Sequence, residues 1–257
     1  MNSNSLKHLS DFKALAESNL SKNERDSLLS NPQFFSAPDS KNYQSIQDHS
    51  EYVDKIIGFK IFETETKLKS MAQVLNPLGS IESWGKMMHE GSQSWVGLNP
   101  RQLLTPYNEL MDMGRLLLSD KKSRIIDLGA GYARMAYVVN LLSPNSTFLG
   151  FEIVNERVEE SNRQLVADQL FNSEMQQADL SAESFEIPIA DIYLLYDYGT
   201  VEHIKKTINH LQLIARDNPL KIIGRGRLRS FIQQDHPWLS QVYTPHHEPT
   251  FSIYSSF

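Results

Sequence analysis

The stretch Arg124-Ile-Ile-Asp-Leu-Gly-Ala-Gly-Tyr-Ala-Arg134 constrains this chain more than any other. It opens as a short apolar run, which predicts a strand buried on both faces. It breaks at Gly129 and Gly131, then takes up a helical period carried by Ala133, Met135, Ala136, Val138 and Val139. A strand that feeds a helix through a glycine turn leaves unpaired backbone N–H groups at the helix N-terminus. The glycines let a ligand approach that backbone closely. A second apolar run, Thr147-Phe-Leu-Gly-Phe151, ends in Glu152, about twenty residues after Gly131. A carboxylate at that distance and at a strand end suits recognition of ribose hydroxyls.

Around this stretch strands and helices alternate with short connections. Strands are expected at Arg124–Leu128, Thr147–Phe151, Glu174–Ala178, Asp191–Tyr196 and Lys221–Gly224. The helices between them span about Ala133–Leu142, Asn155–Leu170 and Val201–Arg216. The tail, with extended pieces near Leu239–Tyr243 and Thr250–Ser255, can close as an antiparallel hairpin across Pro245–Pro249. Such alternation predicts an α/β fold: a Rossmann-like, mostly parallel sheet with helices on both faces. Ligands of these sheets sit beyond the carboxyl ends of the strands. Gly129, Glu152, Asp179 and Asp197 each follow a predicted strand and so converge there.

The first hundred residues differ from the rest. Leu6, Leu9, Phe12, Leu15, Ala16 and Leu20 recur at helical spacing, and Ser21 with Glu24 forms a capping box for a second helix ending near Leu29. Asn31–Asp39, with Pro32 and Pro38, reads as a connection. Tyr43–Leu75 is helical with an interruption at Gly58, and Ser80–His89 is a further short helix. Ser94–Leu98 reads as extended, and a helix starts near Tyr107. The expected organisation is a helical N-terminal extension over residues 1–100, acting as a packing extension, a lid or a substrate platform, followed by a ligand-binding domain over 101–257.

Composition narrows the chemistry. The chain has no cysteine, which excludes disulfides, thiolate zinc sites and cysteine nucleophiles. A net charge of −6 argues against a bulk electrostatic grip on nucleic acid, so a nucleic-acid partner is not expected. The start, Met1-Asn-Ser-Asn-Ser-Leu-Lys-His8, is polar, and no stretch approaches the roughly 18 apolar residues of a membrane span. The expectation is a cytoplasmic protein without a membrane partner. His246-His247-Glu248 is not expected to bind a metal, because adjacent histidines point to opposite sides of an extended chain.

A nicotinamide-binding turn would want a third glycine at position 134, where this chain has Arg134, and the Gly-Lys-Ser/Thr ending of a P-loop is absent. Asp127-Leu-Gly129-Ala-Gly131 resembles the first motif of class I S-adenosylmethionine-dependent methyltransferases. Glu152 is similar to the acidic end of that family's second strand, Ala178-Asp179-Leu180 to its third motif, and Asp191-Ile-Tyr-Leu-Leu-Tyr-Asp197-Tyr198-Gly199 to its fourth. The resemblance spans roughly residue 105 to the end. Tyr107-Asn-Glu109-Leu110 is faintly similar to the cofactor-covering loop of Dot1-like lysine methyltransferases.

The resemblance implies S-adenosylmethionine as cofactor, a seven-stranded sheet and a division of roles. Gly129, Ala130 and Gly131 would sit against the methionine and ribose portion, and Asp127 would support the cofactor amino group. Glu152 would accept the ribose hydroxyls, and Asp179 with the Leu180 backbone would recognise adenine. Tyr107 and Glu109 would contact the cofactor from the preceding loop. Asp197 could orient an incoming amine or touch the cofactor, and Tyr198 could line the transfer channel. His203, one turn into the next helix, is a further base candidate. The acceptor expected is a protein side chain or a small molecule, since the Pro-Pro of base-methylating enzymes does not follow Asp197. The alternatives are a binding or scaffold protein on the same fold and a nicotinamide-dependent oxidoreductase.

Overall fold

The computed structural model describes residues 8–36, 42–88, 95–119, 121–196, 198–226 and 228–256. Among the described residues eight helices precede the first strand: α1 Leu9–Ala16, α2 Lys22–Leu29, α3 Pro32–Phe35, α4 Tyr43–Ile57, α5 Ile61–Leu75, α6 Ile81–Met88, α7 Pro100–Leu103 and α8 Tyr107–Leu117. The remainder runs β1 Arg124–Leu128, α9 Arg134–Leu142, β2 Thr147–Glu152, α10 Asn155–Ala167, β3 Ser173–Gln177, β4 Ile192–Tyr196, α11 Val201–Ala215, β5 Lys221–Arg225, α12 Leu228–Asp235, a 3-10 turn Pro237–Leu239, β6 His246–His247 and β7 Phe251–Ser255. No helix among the described residues is long and apolar enough to cross a membrane.

The strands form one seven-stranded sheet in the order β3-β2-β1-β4-β5-β7-β6. β1 pairs in parallel with β2, Asp127 facing Gly150, and with β4, where Asp127 faces Leu194. Only β7 against β5 and β6 against β7 are antiparallel. The order reverses between β1 and β4, and the crevice opens there at the carboxyl ends of both strands. Alternate strand residues serve opposite faces. Ile125, Phe148, Ile192, Leu194 and Ile223 pack toward α8, α9 and α10, whereas Ile126, Leu128, Tyr193, Leu195 and Ile222 pack toward α11 and α12. The buried run of β4, Ile192 to Leu195, is what a strand covered on both faces requires.

The N-terminal helices join the first of these cores. Phe12, Phe34, Phe35, Val53 and Ile57 are fully buried in one apolar cluster with Tyr107, Tyr132, Met135 and Ile125. Ser21 and Glu24 make the expected capping box at α2. Gly58 ends α4 in the left-handed conformation, φ 99°, which separates α4 from α5.

Several elements depart from the sequence pattern. Asn31–Asp39 was expected to be a plain connection, yet α3 forms there: Asn31 caps it and Pro32 occupies its first position, where no N–H is needed. Residues 95–98 turn rather than extend, with Trp95 at φ 54° and Gly97 at φ 85°. The tail closes as an antiparallel pair, but its first strand is β6 rather than Leu239–Tyr243, because Pro237–Leu239 forms a 3-10 turn.

Candidate functional site

The cleft at the sheet's reversal point is lined by the β1–α9 loop, the ends of β2 and β4, and the segment 95–105 lying over them. Gly129, Ala130 and Gly131 form its floor, with left-handed φ of 91° at Gly129 and 60° at Gly131. The space beside Gly131 is tight as well, since a Cβ there would come within 2.9 Å of Leu104. The positive φ favours glycine at both positions, while the contact at Gly131 meets only the flexible end of the Leu104 side chain.

The loop amides are not free, contrary to the expectation drawn from the turn alone. Gly129 and Ala130 both donate to the Phe151 carbonyl at 2.9 Å. Gly131 donates to Glu152 Oε2 at 3.1 Å. The loop folds back onto the end of β2 because Gly150 leaves room there: a Cβ on residue 150 would lie 2.8 Å from Ala130 Cβ and collide with Met175 Sδ. A dinucleotide pyrophosphate or a nucleotide phosphate needs such amides unpaired; here they are spent within the protein.

Carboxylates replace them. Glu152, buried at the end of β2, accepts Val154 N–H on Oε1 at 3.0 Å, and Arg157 lies 3.5 Å from the same oxygen. Asp127 lines the cleft near the end of β1, two residues before Gly129, and its carboxylate accepts no hydrogen bond from the described residues. Burial, with the adjacent Glu152 charge, pushes its pKa up to about 7. Asp179 and Leu180, just past β3, line the opposite wall. Asp179 Oδ1 accepts the Ser181 N–H at 2.9 Å and the Ser181 hydroxyl at 2.6 Å, an Asx turn that fixes its direction.

Tyr198 packs its Cβ under Gly129, where a Cβ on that glycine would come to 3.2 Å. Its hydroxyl donates to Thr207, and burial raises its pKa. It lines the cleft without offering a titrating group at its rim. His203 also lines the cleft, held by α11, whose first turn Thr200 caps. Asp197 lies outside the described residues.

The structure does not bring Tyr107 and Glu109 into this lining. Pro106 starts α8, and its first-turn side chains point back into the protein. The Tyr107 hydroxyl donates to Asp54 of α4 at 2.9 Å. Glu109 grips Arg225 of β5 through both oxygens, and Arg225 stacks over Tyr196, 4.3 Å from the ring centre. Arg225 is thus already paired with a carboxylate.

Two arginines that the sequence did not mark as site residues line the cleft: Arg134 and Arg157. Arg134 forks onto Asp54 of α4 and also donates to the Thr105 carbonyl at 3.0 Å, which ties the overlying segment to the glycine loop. Arg157 forks onto Glu65 of α5, with Nε at 2.7 Å and a terminal nitrogen at 3.2 Å. Burial opposes the Arg157 charge, but the Glu152 and Glu65 carboxylates overcome it and raise its pKa. The signal for these partners was a charged residue on an apolar stripe: Ile61, Glu65, Leu68 and Ala72 are all buried on one face of α5.

No family model and no curated protein matches the chain. Solved structures with a similar fold include a precorrin-6y C5,15-methyltransferase from Geobacter metallireducens, 15% identical over 60% of this chain and 90% of that one, TM-score 0.46. A ribosomal protein L11 methylase from Lactobacillus delbrueckii subsp. bulgaricus is 14% identical, covering 62% and 79%, TM-score 0.43. An RNA methyltransferase from Salinibacter ruber, solved with S-adenosyl-L-homocysteine, is 17% identical, covering 59% and 91%, TM-score 0.41. By its own strand order the chain has a Rossmann-like α/β fold, a mostly parallel seven-stranded sheet with helices on both faces.

Proposed function

We propose that this protein is an S-adenosylmethionine-dependent methyltransferase acting on a protein side chain or a small molecule. One observation carries the choice of cofactor: the amides of Gly129, Ala130 and Gly131 are all donated internally, while the carboxylates of Asp127, Glu152 and Asp179 face the same cleft. A phosphate would meet spent donors and negative charge there. A cationic nucleoside meets acceptors for its ammonium group and ribose hydroxyls.

In this reading Glu152 accepts the ribose hydroxyls and Asp127 holds the cofactor amino group. Asp179 and the Leu180 N–H recognise adenine. Tyr107 and Glu109 act from behind the wall by holding Asp54 and Arg225 in place. When bound, the cofactor supplies an electrophilic methyl group on a sulfonium. The chain's own task is to position an acceptor in line with that bond and to exclude water, which the segment 95–105 over the cleft can do. Asp197 follows β4 in sequence, and we assign it the orientation of the acceptor, with Tyr198 and His203 lining the cleft beside it.

Transfer of label from tritiated S-adenosylmethionine in a cell lysate, followed by fractionation, tests the reading. Label in protein or small molecules is expected. Label in nucleic acid alone overturns the acceptor class, and no transfer overturns catalysis.

A further inference from the structure

The strand order gives the cleft two ends. Asp127 and Glu152 come from β1 and β2, and Asp179 follows β3, whereas β4 and β5 lie on the other side of β1. At the second end Leu194 and Tyr196 pair with Ile223 and Arg225, and alternation turns all four toward α8. Leu110 and Met113 of α8 line the cleft as well. The segment 95–105 covers this end. The Tyr196 hydroxyl donates to the Gln102 carbonyl at 3.4 Å, and Arg101 forks onto Glu51 of α4, with both nitrogens at 2.7 Å.

The walls here are mostly apolar, and their arginines are already paired. Arg225 is taken by both Glu109 oxygens and lies 4.3 Å from the centre of the Tyr196 ring. Arg134, which begins α9 beside the glycine loop, is forked onto Asp54. Asp127 borders this end from β1, facing Leu194, but in the cofactor reading the cofactor amino group engages it. An ammonium brought here would meet two guanidiniums and no further carboxylate without a partner among the described residues. An anion would have to displace Glu109, which is 7% exposed and would be left buried without its arginine. Burying an unpaired charge is costly, so an uncharged body fits this end best. The aliphatic walls and the Tyr196 ring suit a flat, apolar one.

We propose that the β4–β5 end of the cleft seats the methyl acceptor, and that this acceptor is an uncharged, ring-bearing small molecule rather than a charged protein side chain. Glu109 sets the choice by keeping the Arg225 charge paired. The proposal rests on the cofactor reading above and narrows its acceptor. In the transfer, a lone pair on the acceptor's nitrogen or oxygen forms the bond to the methyl carbon. The sulfur–carbon pair returns to sulfur, and the acceptor's proton passes to water.

Fluorescence titration of the full chain, saturated with S-adenosylhomocysteine, tests it with two dyes of one shape: neutral phenylnaphthylamine and its anion, anilinonaphthalenesulfonate. Wild type is expected to bind the neutral dye about tenfold more tightly than the sulfonate. Glu109→Gln, which frees the Arg225 charge, is expected to bring the two within about threefold by tightening the sulfonate. Leu98→Lys, in the half-buried cover of the cleft, is expected to weaken the neutral dye about fivefold, and carries the test should Glu109→Gln not fold. No saturable binding of the neutral dye overturns the proposal. An unchanged preference in folded Glu109→Gln, or unchanged neutral affinity in Leu98→Lys, overturns it too. Tritium from labelled S-adenosylmethionine is expected in solvent-extractable small molecules of a lysate. Label confined to protein overturns this inference and leaves the cofactor reading standing, whereas failure of wild type to bind S-adenosylhomocysteine overturns both.

Discussion

At the scale of single residues, two groups pull stability in opposite directions with pH. Asp127 has a folded pKa of about 7 against 3.8 for the free side chain, because burial and Glu152 disfavour its charge. The folded state then holds a proton that the unfolded state has already lost, so stability from this group is full below about pH 4 and is lost as pH rises through about 7. Asp127→Asn is expected to be about 2–4 kcal/mol more stable than wild type at pH 8 and indistinguishable near pH 4, read by denaturant midpoints. The same substitution removes the proposed ammonium acceptor and weakens the cofactor, a trade of stability against function. His49 runs the other way. It is fully buried, its Nε2 is 3.1 Å from the Phe34 carbonyl, and its Nδ1 has no partner among the described residues. Burial lowers its pKa to about 4, so its contribution is present above pH 6.5 and is lost as pH falls toward 4. An NMR titration of the folded protein should find this ring neutral until about pH 4, and titration near 6.5 would contradict its burial. Glu152→Ala is expected to cost about 1–3 kcal/mol of cofactor affinity through lost charge-assisted hydrogen bonds, and unchanged affinity in a folded variant would remove it from the site.

At the scale of elements, the glycine loop depends on the strand beside it. Gly150→Ala would press a methyl group against Met175 and Ala130. It is expected to destabilise the fold by about 1–3 kcal/mol, with a displaced loop and weaker cofactor binding, measured by denaturation and titration side by side. How much of this was legible in the sequence follows from the range of each signal. The strand–glycine–helix pattern, the acidic residue ending β2 and the capping box of α2 are local, and periodicity alone placed them to within a residue or two. The fate of the loop amides was not local. Whether Gly129 and Ala130 offer their N–H groups to a ligand or to Phe151 depends on the approach of β2, which residue 150 permits. The placement of Tyr107 and Glu109 was not local either. Their spacing resembles a cofactor loop, but the direction of their side chains is set by Asp54 and Arg225, some fifty and more than a hundred positions away.

At the scale of the molecule, the helical N-terminal region and the sheet share one core and two buried ion pairs, Asp54 with Arg134 and Glu65 with Arg157. A fragment spanning only residues 101–257 would deprive both arginines of those carboxylates and uncover the face against which Phe34, Phe35 and Val53 now pack. Loss of one partner of a buried pair typically costs about 3–5 kcal/mol, so that fragment is expected to lack a cooperative thermal transition. A sharp transition with retained ligand binding would show the two regions to be independent. The central claim is that the cleft between β1 and β4 seats a cationic nucleoside and rejects a dinucleotide. Calorimetric titration of the intact chain with S-adenosylhomocysteine and with a nicotinamide dinucleotide tests it most directly. The account predicts saturable binding of the first at one site per chain, abolished or weakened by Glu152→Ala, and none of the second. Dinucleotide binding, or no S-adenosylhomocysteine binding at high micromolar ligand, would contradict it.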